Sequence, residues 1–134
     1  MKMMFLLLGS LLLPFVAQAE VVEVDNQQLK QLLNDGIPIV DIRTASEWKE
    51  TGIVEGSNLL TFFDAAGNYD ARSWLARLAS IAGKEDPVIL ICRTGRRTCL
   101  ISKFIDQQIG YHKVYNVSRG IRDWIDKKNP VVAP

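Results

Sequence analysis

The stretch Cys92-Arg93-Thr94-Gly95-Arg96-Arg97-Thr98 puts one thiol beside three arginines, two hydroxyls and a glycine. A thiol attacks as its thiolate, and nearby positive charge and converging backbone N–H groups favour that form. The same donors can hold an oxyanion beside the sulfur, so these residue types point to nucleophilic sulfur chemistry on an anionic substrate. Cys92 is the candidate nucleophile. Arg93, Arg96 and Arg97 are candidates to attract the anion and neutralise the leaving group, with the loop amides from Arg93 through Thr94 to Thr98 holding the charged atoms. Gly95 suits a turn narrow enough to need a positive φ, and Thr98 is placed to cap a following helix and offer its hydroxyl. His112 is the only histidine. It follows Gly110-Tyr111 in an expected turn, which points to a surface role, and its isolation weakens any Cys-His dyad and excludes a multi-histidine metal site. No phosphate-binding or dinucleotide motif accompanies the loop, so neither a metal nor a cofactor is expected.

The elements that must position these residues follow from hydrophobic pattern and punctuation. Val88-Ile89-Leu90-Ile91 is continuously apolar, which predicts a strand covered on both faces and ending at Cys92. Leu100, Ile101, Phe104, Ile105 and Ile109 recur at helical spacing, predicting a helix from near Thr98 that packs back on the sheet. A strand, a tight loop and a helix N-terminus together make an anion-binding unit. Upstream, Val21 to Val24 reads as an edge strand, and Asp25 or Asn26 caps a helix that stops at Asn34-Asp35-Gly36. Ile37 to Ile42 reads as a strand, and Thr44-Ala-Ser-Glu47 has capping-box spacing for a short helix ending by Gly52. A short strand over Ser57 to Thr61 and a loop from Asp64 to Asp70 precede a helix running from Ala71 to Gly83. Lys113 to Val117 is a further strand, and Ile121, Trp124 and Ile125 mark a last helix. Trp48, Trp74 and Trp124 fall on apolar helix faces and are expected in the core. Alternating strands and helices predict an α/β fold with a mainly parallel sheet, helices on both faces and a site beyond the carboxyl ends of the strands.

The loop resembles the active-site loop of the rhodanese-type sulfurtransferases, Cys-x-x-Gly-x-Arg-Ser/Thr. Asp41-Ile42-Arg43 and Glu47-Trp48, followed by Gly52-Ile53-Val54-Glu55-Gly56-Ser57-Asn58, are similar to a second block of that family, and Gly120 to Trp124 to its Gly-x-x-x-Trp ending. Ile53, Glu55 and Arg119 depart from the usual histidine, proline and glycine. The resemblance implies a single rhodanese-like domain whose cysteine takes a sulfane sulfur from a small anionic donor such as thiosulfate, forms a persulfide and passes the sulfur to cyanide or to a small-molecule or protein thiol. It also implies structural support for the loop from Asp41, accepting amides, and from Arg43, paired with Glu47. Two other functions compete with this one. A non-catalytic sulfur-carrier or interaction module in the envelope would keep the fold without turnover. A cysteine-dependent phosphatase would need Cys-x5-Arg, where this chain has Cys-x4-Arg.

The chain has 134 residues, and residues 1–19 read as an export signal: Lys2, an apolar stretch from Met3 to Val16, and Ala17-Gln18-Ala19 before Glu20. The expectation is an exported, periplasmic domain spanning residues 20–134 with no membrane attachment once the signal is cleaved. Of 16 Lys+Arg only Lys2 lies in that signal, leaving 15 against 15 Asp+Glu. A neutral domain argues against a nucleic-acid partner, which needs a basic excess. Cys92 and Cys99 are poorly placed for a disulfide within one loop and helical turn, so core packing of Cys99 is expected instead.

Overall fold

A computed structural model describes residues 11–14 and 20–134. Most of the expected export signal, residues 1–10 and 15–19, lies outside the described residues. Five strands and five helices alternate: β1 (Val22–Val24), α1 (Asn26–Asn34), β2 (Ile39–Asp41), α2 (Ala45–Thr51), β3 (Asn58–Leu59), α3 (Ala71–Ala79), β4 (Val88–Ile91), α4 (Arg96–Phe104), β5 (Val114–Val117) and α5 (Gly120–Asp126). A π-helical turn, Ile105–Ile109, extends α4.

All strand pairs are parallel, in the order β1-β5-β4-β2-β3. β4 is the middle strand and all four of its residues are buried. Strand periodicity splits them between two cores. Val88, Leu90 and Cys92 face Trp74 and Leu78 of α3 and Ile101 of α4. Ile89 and Ile91 face Leu29 of α1 and Ile121 and Trp124 of α5. This double cover explains why β4 carries no polar residue. At ~25 cal/mol per Å² its side chains add several kcal/mol of burial in the strand that carries the cysteine.

The helix starts follow local chemistry. Asp25 and Gln28 close a capping box on α1, and Thr44 and Glu47 close one on α2. Gly36 ends the α1 turn at φ 79°, a conformation that suits glycine. Four expected boundaries are corrected, and the first is β3, which is shorter than Ser57–Thr61. α3 stops at Ala79, with Ser80 at its end, rather than at Gly83. β2 is shorter than Ile37–Ile42. The helix expected from near Thr98 begins at Arg96, because Gly95 turns the chain directly into it and leaves Thr98 inside the first turn. Leu100, counted on the core face by spacing, is 65% exposed on α4.

Candidate active site

Cys92 immediately follows β4 and is 1% exposed, so its sulfur lies at the floor of the loop rather than on the surface. The Gly95 amide donates to Sγ at 3.1 Å, and the buried Thr98 hydroxyl lies 3.4 Å from Sγ and 3.3 Å from the Gly95 carbonyl. Thr98 thus offers its hydroxyl to the site as expected, but does not cap the helix. Gly95 holds the N-cap position at φ 89°, and no side chain caps α4. The first-turn amides of a helix have no intrahelical acceptors, so α4 opens toward the loop as an anion-binding end. The Gly95 amide and the Thr98 hydroxyl thus meet at one sulfur at the end of β4.

A second segment clamps the loop from behind. The Ile121 and Arg122 amides, in the first turn of α5, donate to the carbonyls of Cys92 at 2.9 Å and Arg93 at 3.0 Å. A Cβ added at Gly95 would stand 2.2 Å from the Ser118 carbonyl oxygen, and one at Gly120 2.3 Å from that of Arg93. Gly120 also lies at φ 66°. Sequence reasoning noticed Gly120 only for its spacing to Trp124; the backbone approach that requires glycine is a tertiary contact with no local sign. Gly120→Ala is expected to push the loop off the α5 N-terminus, lowering the thermal midpoint and the rate of Cys92 alkylation or sulfur loading together, while Gly67→Ala, with open space around it, leaves the loading rate alone.

Arg93, Thr94 and Arg96 are exposed, and Arg97 is half-buried. Arg97 forms a two-pronged ion pair with Glu47, 2.9 Å at each prong, so α2 steadies the loop across the site. Burial works against ionisation of both groups. For Glu47 it pushes the carboxyl up, but the hydrogen bond from Arg97, the Thr44 amide and the charges of Arg97 and Arg43 outweigh it and hold the group below its ordinary 4.5. For Arg97 burial pulls the guanidinium down, but Glu47, Cys92 and Asp41 more than offset this. Because the folded carboxyl is shifted down, its contribution is complete above the ordinary carboxylate range and is lost as pH falls through the lowered folded value. Glu47→Gln is expected to cost about 1 kcal/mol at neutral pH and progressively less in acid, a convergence read from denaturant unfolding of both proteins between neutral pH and the carboxylate range.

The expected roles of Asp41 and Arg43 are corrected. Arg43 does not pair with the Glu47 carboxylate. Its guanidinium lies wholly buried on Asp41, with Nη2 2.8 Å and Nε 3.0 Å from the two carboxylate oxygens. Residues two apart along extended chain share a face, which brings these side chains together. Asp41 accepts the Arg43 amide as well, rather than amides of the loop. The remaining guanidinium donors reach Thr51 Oγ1 at 2.8 Å and the Gly52 carbonyl at 3.0 Å, tying the end of α2 to β2. Asp41 and Arg43 therefore support the site through α2 and Glu47.

Both cysteines are free thiols, and Cys99 is partly exposed in the first turn of α4 rather than packed in the core. Trp74 and Trp124 are core residues as expected, whereas Trp48 is half-buried. Among the described residues no cluster of His, Cys, Asp and Glu suits a metal ion. An apolar wall of Phe62, Phe63, Tyr69, Leu100 and Phe104 flanks α4.

Residues 25–127 match the family model described as Rhodanese-like domain. The chain is similar to two Arabidopsis thaliana proteins: Rhodanese-like domain-containing protein 17, 28% identical over 120 residues covering 87% of this chain and 76% of that protein, and Thiosulfate sulfurtransferase 18, 28% identical over 116 residues covering 84% of each. Its fold is similar to that of the polysulfide-sulfur transferase homodimer from Wolinella succinogenes, with a TM-score of 0.64 at 23% identity over 87% of this chain and 82% of that one.

Proposed function

This chain belongs to the rhodanese-like domain family, and on that premise we propose that it is a sulfurtransferase carrying sulfane sulfur on Cys92. The Cys92 thiolate attacks the outer sulfur of a small anionic donor of the thiosulfate type. The donor's S–S bond breaks and sulfite departs with the bonding pair, leaving a Cys92 persulfide. A second nucleophile, cyanide or an acceptor thiolate, attacks the outer sulfur of the persulfide; the new bond forms as the Cys92 S–S bond breaks, and the pair returns to Cys92 as thiolate. The Gly95 amide and Thr98 hydroxyl hold the cysteine sulfur, the α4 amides face the developing oxyanion, and Arg96 and Arg93 draw the donor in.

The observation that carries this reading is the buried sulfur accepting the Gly95 amide where α4 begins. The phosphatase alternative is disfavoured because Arg97 follows the cysteine one position too early and is engaged by Glu47. Thiosulfate should leave one added sulfur atom on the protein, removable by a thiol reductant, and thiosulfate with cyanide should yield thiocyanate. Both are read by intact-mass spectrometry and colorimetry on one preparation. An adduct without turnover would instead assign the non-catalytic carrier, and phosphate release from an aryl phosphate without thiocyanate would overturn the proposal.

Residues 1–19 are part of the same proposal as a cleaved export signal, which would place the chemistry in the envelope. In a secreting bacterial host the expected mature N-terminus is Glu20, read by N-terminal sequencing of the released protein.

A further inference from the structure

We propose that Arg93, Arg96, Arg119 and Arg122 form a docking rim for an acidic segment of a protein that exchanges sulfur with Cys92 through its own thiol. This rests on the sulfurtransferase reading and adds to it the chemistry of the partner. Two segments distant in sequence meet at the site: the loop after β4 and the turn from β5 into α5. Their backbones touch, with the Arg122 amide on the Arg93 carbonyl at 3.0 Å and Gly120 packed against Arg93 and Thr94. Four exposed arginine side chains therefore leave a small common patch of backbone. Arg97, the fifth arginine there, is held by Glu47, and Arg93 lies 4.0 Å from Glu50 with both groups well exposed. Among the described residues Arg96, Arg119 and Arg122 have no carboxylate partner.

Outside residues 1–19 the chain carries equal numbers of basic and acidic residues, so this crowding is local. Like charges rooted on adjoining backbone raise the local positive potential unless something anionic offsets them. The backbone gives no reason for arginine at position 119: at φ −111° and ψ 2° it has a negative φ and singles out no residue type. A small donor accounts for the loop donors around the sunken sulfur. It does not account for Arg119 and Arg122, which belong to the neighbouring turn. A ligand that meets both the buried sulfur and that turn is longer than thiosulfate, and a cysteine flanked by carboxylates on a peptide segment supplies both ends.

The test uses the whole protein and its Arg119→Gln/Arg122→Gln variant, whose substitutions keep the backbone amides and whose folding is checked by its unfolding transition. Each is loaded with thiosulfate and then offered two synthetic peptides with the same central cysteine, one flanked by Asp and Glu and the other by Asn and Gln. The expected result is discharge to the acidic peptide about tenfold faster than to the neutral one, an advantage that shrinks with added salt. In the variant, thiosulfate loading should stay within about twofold while the acidic advantage falls to about twofold or less. Equal rates for the two peptides on the unmodified protein would overturn the rim, as would an advantage that survives in the variant. A matching loss of thiosulfate loading would also overturn it, because the arginines would then serve the small donor. Failure of the unmodified protein to load would strike the sulfurtransferase reading instead. The rim would then be judged by fluorescence anisotropy of the acidic peptide: weaker binding to the variant supports it, and equal binding overturns it.

Discussion

Cys92→Ala is expected to abolish persulfide formation and to lower thiocyanate production by at least about a thousandfold, since in the proposed reaction every turnover passes through a covalent bond to that sulfur. Cys99→Ala is the matched control. Both cysteines are free and seven positions apart, but Cys99 lies within α4 and only Cys92 has its sulfur on the Gly95 amide and the Thr98 hydroxyl. The Cys99 variant should take up one sulfur from thiosulfate, the result expected of the unmodified protein. Intact mass separates the cases: loss of the adduct in Cys99→Ala, or its retention in Cys92→Ala, would assign the wrong nucleophile. The shape of the site should survive the Cys92 substitution, because the loop is also held by the Ile121 and Arg122 amides through main-chain carbonyls that alanine keeps. An unchanged unfolding midpoint would show that the lost activity is chemical.

The largest effect on stability is expected at Arg43. Its guanidinium and the Asp41 carboxylate are both 0% exposed, so neither can turn to water when the other is removed. Truncating one partner of a buried pair strands the other charge, which typically costs about 3–5 kcal/mol. Arg43→Ala should fall in that range, measured by denaturant unfolding. It should also slow sulfur loading, because the lost bonds to Thr51 and Gly52 release the end of α2, and α2 carries the Glu47 that braces Arg97. Removing both partners in Asp41→Ala/Arg43→Ala should cost much less than the sum of the single changes, since no lone charge remains. A cost below about 1 kcal/mol for Arg43→Ala would show that the pair contributes little.

β4 and its cysteine were legible because a strand covered on both faces has to be apolar throughout, and the run from Val88 to Ile91 shows that in four letters. The α2 start was legible because a capping box is closed by residues three apart, Thr44 and Glu47. The partner of Glu47 was not legible. Its carboxylate meets a residue fifty positions away, and the nearer Arg43 satisfies spacing as well while facing the other way onto Asp41. Gly120 shows the same limit. What it requires is room for the Arg93 carbonyl, which only the finished packing of α5 on the loop defines. Leu100 erred in the opposite direction, since helical spacing assigns a face but leaves the width of the covered stripe to the neighbours.

The strand order has a consequence for how the chain is made. β1, near the start of the described domain, has only β5 as a neighbour, with Val22 beside Tyr115 and Glu23 bonded to Asn116 ninety-three residues later. While the ribosome is still at work the first strand has nothing to join, so the sheet closes only after residue 117 has emerged. Such long-range parallel pairing is slow, which makes the joining of β1 to β5 the late step in completing the sheet.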